Sequence, residues 1–343
     1  MGQLLFSPGQ AAALLFGVFF LLLALRVPVA VALGLACLPM LALEPQLSLM
    51  LLVQETFNAY NSFILLAVPF FLLTPNLMNV GGITDRLVRL SRALVGHFPG
   101  GLAQINVVLS IFFAGISGSS TADAASQSKI FIEAQRREGY DDSFSVAITA
   151  VSAVLAVIIP PSILMIVWGG VLTVSIGALF LAGILPGVLM ALLMMLTVAY
   201  FAHKNGWGGD VKFNGGKLAK ALFETAVVIG WPLLLWVLIS KLGFQPQLTV
   251  FVALAALFVA DKVFNFQAVL PIMTPVLLIG GMVTGIFTPT EGAIAACVWS
   301  MILGFVWYRT INFKMFVKVC LDTVETTATV LFIVAAVDRK SVV

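Results

Sequence analysis

The chain has 343 residues, 61% of them hydrophobic and 10% charged, with a formal net charge of +3 and a mean hydropathy of +1.11. A soluble domain carries about 25% charged residues, so composition excludes a soluble enzyme, and the basic residues are too scattered to form the stripe that a nucleic acid needs. The apolar runs are continuous, whereas strands of a membrane barrel alternate apolar and polar residues over about ten positions, so the chain reads as an all-α integral membrane protein.

Apolar stretches approaching the roughly 20 residues of a span run from Ala11 to Leu25, Ser62 to Val80, Ile176 to Ala202, Ala221 to Leu242 and Thr249 to Ala260. The first has no basic leader, because the first basic residue is Arg26, and it is expected to be retained rather than cleaved. Leu47 to Asn61 and Thr84 to Gly96 are amphipathic and too polar to span, which predicts helical arms lying along the interface. Basic residues gather at Arg86, Arg89 and Arg92, at Arg136 and Arg137, from Lys204 to Lys220, and at Arg309, Lys314 and Lys318. By the positive-inside rule these segments face the cytoplasm, and with Lys241 the exception at an outer end, the amino terminus falls outside. Cys37, Cys297 and Cys320 have no CxxC spacing and read as small hydrophobes, so no disulfide is expected. His97 and His203 lack a second ligand at metal spacing and read as surface or interface residues.

A weak internal repeat aligns on its prolines. Arg26-Val27-Pro28 opens a helix that leads to Leu51–Thr56 and then Phe63–Val68; Phe287-Thr288-Pro289 opens one that leads to Phe316–Asp322 and then Leu331–Ala336. Charge places the amphipathic arm outside in the first copy and inside in the second, the arrangement of inverted repeats in secondary transporters. The second copy is incomplete. After Val337 come only Asp338 to Val343, which match the translation of a common sequencing-adapter oligonucleotide and are expected to be an assembly artefact.

The chemistry is concentrated in two interruptions. Pro99 to Glu133 predicts a re-entrant hairpin whose tip is Gly115-Ile116-Ser117-Gly118-Ser119-Ser120. Free backbone groups and hydroxyls in such a tip suit a small cation or a carboxylate, while a helix-packing seam of small residues is the plainer reading. Asp123 follows within the second arm, where a carboxylate either coordinates a cation or caps the helix. A helix from Ser143 to Ile159 is then broken at Pro160-Pro161-Ser162. Carbonyls freed near Val157 to Pro160 suit sodium, and the amino end of the helix that resumes at Ser162 suits a carboxylate; a structural kink is the alternative. Thr288-Pro289-Thr290-Glu291 reads as a capping box.

Gly81-Gly82-Ile83-Thr84, Leu94 to Gln104, the serine-rich tip, Ile159-Pro160-Pro161-Ser162-Ile163, Leu181 to Gly187 and Gly285 to Glu291, in that order, resemble the large membrane subunit of tripartite ATP-independent periplasmic (TRAP) transporters. The resemblance covers nearly all of the chain except Gly230 to Phe266 and the tail. It implies an inverted-repeat, elevator-type secondary transporter, driven by sodium, that takes an organic acid from a periplasmic substrate-binding protein and pairs with a small membrane subunit in the bacterial inner membrane. In the family the hairpin and the following broken helix form one sodium site, which here corresponds to Ser117, Gly118, Ser119, Pro160, Pro161 and Ser162; Ser120 and Asp123 are assigned to the substrate. No cofactor beyond the coupling ion is expected.

The expected divisions are residues 1–96 as first-repeat scaffold, 97–202 as the first transport half, 203–337 as second-repeat scaffold with extra helices at 221–262, and 338–343 as artefact. Departures from the family pattern are Gly230 to Phe266, Thr74-Pro75-Asn76 in place of a small-acidic pattern, and the absent second hairpin and second broken helix, so this chain as written is not expected to transport by itself. Two other readings differ in class: an ion-coupled carboxylate carrier working without a binding protein, and an intramembrane serine protease, whose GxSG would be Gly115-Ile116-Ser117-Gly118 and whose base would have to be His203.

Overall fold

Proline and glycine set where the helices begin and end. A computed structural model describes residues 7–43, 50, 53–54, 57, 65–172, 174–211, 214–240, 261, 269–283 and 287–337, and every regular element among them is helical. Helix α1 (Pro8–Ala24) opens on a capping box between Ser7 and Gln10 with Pro8 in its first turn. α2 (Val29–Leu43) packs against it. α3 (Ala67–Val80) and α4 (Ile83–Val95) are separated by Gly82 at φ 70°, a left-handed turn that glycine adopts without strain. α5 (Gly101–Ser117) and α6 (Ser120–Arg137) form a helical hairpin, followed by α7 (Asp142–Ala153), the short α8 (Leu155–Ile158), α9 (Ile163–Leu172) and α10 (Ile176–Asn205). α11 (Gly215–Ser240), α12 (Val269–Val283), α13 (Pro289–Met301), a π-helical turn at Ile302–Trp307 and α14 (Phe313–Val337) complete the described elements.

Among the described residues, three segments are long and apolar enough to cross a membrane: Asp142–Gly170, which contains the proline break, Ile176–Asn205 and Pro289–Trp307. The main buried cluster surrounds α5, whose Ile105, Val107 and Leu109 are fully enclosed. The later helices sit against the earlier ones, with α13 and α14 both on α3 and α14 also on α2. The capping box at Thr288 and Glu291 is present, with Glu291 Oε2 accepting from the Thr288 backbone N–H at 2.8 Å. Cys37 and Cys297 are buried, the Cys37 thiol donating to the Leu33 carbonyl at 3.1 Å, and Cys320 is partly exposed.

Two expectations need correction. α4 is amphipathic, but its apolar face, including Leu87 and Leu90, packs on α5 and α11 instead of lying on lipid. Arg86, one turn before Leu90, sits over the Tyr308 ring at 3.9 Å, and the Thr310 hydroxyl donates to the Gly81 carbonyl. The arm expected at Phe316–Asp322 and the helix expected at Leu331–Ala336 are one continuous helix, α14. The reason is simple: residues 313–337 contain neither proline nor glycine to interrupt the ladder. Most of the arm at 47–61, the stretch 249–260, most of the extra sequence at 241–266 and the tail at 338–343 lie outside the described residues.

α10 reaches the proline break through a glycine stripe. A Cβ on Gly183 would fall on the Ile158 carbonyl oxygen, and one on Gly187 on the Ile159 side chain. Small residues here let α10 close on the backbone of α8. Gly183→Val should therefore destabilise the protein by about 2 kcal/mol, the usual cost of overpacking; thermal unfolding in detergent followed by helical signal would show a lowered midpoint, and an unchanged midpoint would contradict the close approach.

Candidate functional site

The tip of the hairpin is shaped by one glycine and one serine. α5 stops after Ser117 because Gly118 turns to φ 62°, a left-handed conformation that costs glycine little. Ser119 is extended, and its hydroxyl accepts from the Ala122 N–H at 3.4 Å, which starts α6. The Ser119 N–H in turn points to the Ser117 hydroxyl at 3.4 Å.

This tip meets the proline break backbone to backbone. The Ile163 N–H donates to the Gly118 carbonyl at 3.3 Å. A Cβ on Gly118 would lie 2.6 Å from the Pro161 carbonyl oxygen, so the approach requires glycine. At the break, Pro160–Pro161 is a cis peptide. Ser162 is fully buried; its hydroxyl donates to the Val157 carbonyl at 3.0 Å and accepts from the Met165 N–H at 3.4 Å. The Val157 oxygen and the N–H groups of Ile163 and Met165 are thus engaged within the protein. Of the donors expected to offer themselves to a substrate carboxylate at this helix start, those two are taken by Gly118 and Ser162.

Asp123 lies one turn beyond the cap and is 3% exposed. Ser119 performs the capping, so the carboxylate of Asp123 is not the cap. The Ser117 side chain lies beside its carboxylate on the wall of the same cleft, and its Oδ2 has no hydrogen-bond partner. Beside it opens a cleft of about 340 Å³. Ser117, Ser119, Thr121, Asp123 and Ser126 line it from the hairpin, Asn76 and Asn79 from α3, Thr84 from α4 and Thr326 from α14. Asn76 Nδ2 donates to Thr323 Oγ1 at 3.0 Å, and Thr84 Oγ1 to Asn79 Oδ1 at 3.0 Å, which fixes the polar wall opposite the tip.

Of the residues singled out in the sequence, Ser117, Ser119 and Asp123 face this cleft, while Gly118 joins them to Pro161 and Ser162 behind it. Pro160, Pro161, Ser162 and Ser120 do not line the cleft. Asn76, Asn79, Thr84, Ser126 and Thr326 were missed as site residues. A signal existed for two of them: Asn76 and Asn79 are one turn apart beside Pro75 in a helix whose one other polar residue is Thr74, where polar groups usually serve a purpose. Neither histidine lines the cleft that holds Ser117. His97 borders a separate hollow with Arg89, Arg92 and Lys220, and His203 is exposed in the last turn of α10.

Both arms of the hairpin return to one end. There Trp207 stacks on Tyr140 at 4.5 Å between ring centroids and donates from Nε1 to the Gly139 carbonyl at 3.2 Å. The Gly100 N–H donates to the Trp207 carbonyl at 3.2 Å, and Arg92 pairs with Asp210 at 2.7 Å. Burial, and then the neighbouring Asp210, pushes the Glu138 carboxyl above its ordinary range.

The family model of the tripartite ATP-independent periplasmic transporter DctM component matches residues 16–342. The chain is 33% identical over 323 residues to the sialic acid TRAP transporter large permease protein SiaM of Vibrio cholerae, covering 94% of this chain and 65% of that one. It is 32% identical to the C4-dicarboxylate TRAP transporter large permease protein DctM of the same organism, over 88% of this chain and 57% of that one. It is likewise 32% identical to the isethionate TRAP transporter permease protein DctMQ of Oleidesulfovibrio alaskensis, over 94% of this chain and 44% of that one. The chain spans less than two thirds of the length of these relatives. An ordered set of broken helices and a match along almost its whole length give one answer: the chain belongs to the DctM component family of the tripartite ATP-independent periplasmic transporters.

Proposed function

We propose that this chain is the first half, with part of the second, of a sodium-coupled permease that imports an organic acid by an elevator movement. In this reading it sits in the bacterial inner membrane with its amino terminus on the periplasmic side, pairs with a small membrane subunit, and receives its substrate from a periplasmic binding protein. The observation that carries the reading is the junction of hairpin tip and proline break beside the unpartnered oxygen of Asp123. The relatives are named for sialic acid, isethionate and C4-dicarboxylates, all organic anions.

The chemistry of the cleft supports a cation next to an anion. Ser117, Ser119 and Asp123 offer oxygen donors of the kind that hard cations select. An organic acid alone beside Asp123 would be repelled; a sodium ion between the two carboxylates removes that obstacle. Asn76, Asn79, Thr84 and Thr326 then supply neutral hydrogen bonds for the rest of the substrate.

The test is uptake of labelled organic acids into proteoliposomes by the complete permease with its small subunit. Asp123→Asn should lower sodium-driven uptake about tenfold or more, the effect of losing one buried charge-assisted contact. Ser119→Ala and Pro161→Ala should weaken it while leaving membrane insertion intact, and unchanged uptake in both would refute the site. Gly118→Ala combines a φ of 62° with a clash on Pro161, so it should cost at least about 1 kcal/mol of stability as well as activity. Uptake that proceeds equally well without a binding protein would point to the independent carrier instead.

A further inference from the structure

We propose that the acid taken by the Asp123 cleft is a monocarboxylate with hydroxyl groups along its chain, a sugar acid of the aldonate kind, and not a dicarboxylate. The inference deepens the sodium-coupled reading and rests on it for the place of the carboxylate. The hydroxyls rest on the wall opposite the hairpin tip.

That wall comes from α3, α4 and α14, and its hydrogen bonds fix how each group can act. Thr323 Oγ1 donates its single hydrogen to the Val319 carbonyl at 2.7 Å, so toward Asn76, 3.0 Å away, it can only accept. The Asn76 amide is thereby oriented: Nδ2 turns to α14, and Oδ1 is left as the acceptor of this cleft residue. Thr326 donates its own hydrogen to the Asp322 carbonyl at 2.9 Å, so its oxygen too can only accept. Thr84 and Asn79 bond each other at 3.0 Å. With either orientation of the Asn79 amide, that pair keeps one donor and one acceptor for a ligand.

A threonine bonded to the carbonyl one turn back is ordinary in a helix and by itself says nothing of a ligand. Here such threonines set the polarity of a cleft that also holds Asp123. The second hydrogen of Asn76 Nδ2 and the Asn79–Thr84 pair let the wall donate, but Asn76 Oδ1 and Thr326 Oγ1 can be met only by a donor. Whatever other groups line the cleft in the complete permease, the hydrogens of Thr323 and Thr326 are already engaged within α14.

A carboxylate has lone pairs and no hydrogen. With one end of a dicarboxylate at the cation, the other would set acceptor against acceptor at Asn76 and Thr326 and add a second negative charge to that of Asp123. An apolar chain would displace water from the wall without replacing its hydrogen bonds. A hydroxyl donates and accepts, so it can meet Asn76 Oδ1 or Thr326 Oγ1 and take a bond from the Asn79–Thr84 pair in turn. At about 340 Å³ the cleft falls within the size of small-molecule sites.

Calorimetric binding to the purified complete permease with its small subunit, in sodium and without the binding protein, reads the permease's own preference. Gluconate should bind about tenfold or more tightly than succinate, butyrate or γ-aminobutyrate, because each of these leaves wall groups unmet. Thr326→Val should cut the preference for gluconate over butyrate about fivefold, the loss of one hydrogen bond. Succinate bound as tightly as gluconate would overturn the inference and leave the sodium-coupled reading standing. γ-Aminobutyrate bound as tightly would overturn it as well, since an ammonium group would then be what meets the wall. Gluconate preferred equally with and without sodium would uphold the hydroxyl preference and remove only the coupling ion, whereas no binding of any of the four would refute both.

Discussion

The hydrogen bond from the Ile163 N–H to the Gly118 carbonyl joins two chain interruptions that neither could sustain alone. A helix broken inside hydrocarbon exposes N–H and C=O groups at several kcal/mol each. Here the hairpin tip and the proline break cancel much of that cost together: Gly118 accepts from Ile163, Ser162 closes on Val157, and Ser119 caps α6. Among the described buried side chains at the junction, Asp123 Oδ2 is left without a partner. Backbone groups help to build the site, and Asp123 lines the cleft.

Glycine makes that junction possible by letting backbones touch. Gly118 closes on Pro161, Gly183 on Ile158, and a Cβ on Gly115 would lie 2.9 Å from Pro275 of α12. The tip is therefore held on two sides, by the proline break and by a helix from the later part of the chain. Each contact is closer than any side chain would permit, so position is set by sterics more than by hydrogen-bond strength. Contacts this close leave the site little room to change shape.

Local chemistry was legible in the sequence, and cross-chain chemistry was not. The Gly-Ser tip, the Pro-Pro break and the Thr288–Glu291 capping box each involve neighbours within five residues, so spacing alone exposes them. The cleft wall is different: Asn76 and Thr326 face Asp123 from 47 residues before and 203 residues after it in the numbering. No periodicity encodes such a meeting. α14 is the opposite case, since the lack of any breaker between 313 and 337 already called for one helix, and the repeat alignment suggested two. For α4 the amphipathic pattern was sound but did not say whether protein or lipid would cover the apolar face, because both are equally apolar.

The position of Asp123 also constrains the order of events in the proposed cycle. Two carboxylates about 4 Å apart repel by about 4 kcal/mol at the effective dielectric of a partly buried pair. With Asp123 ionised, that penalty would be close to a thousandfold in affinity, enough to keep an organic acid out of an ion-free cleft in the proposed cycle. A cation between them reverses the sign of the nearest interaction for both. Since a ligand shifts affinity for its neighbour by the same factor in either direction, the acid would in turn hold the cation in place. Ion and substrate would then enter and leave as a pair, and the tight coupling that a secondary transporter needs would follow from one buried carboxylate.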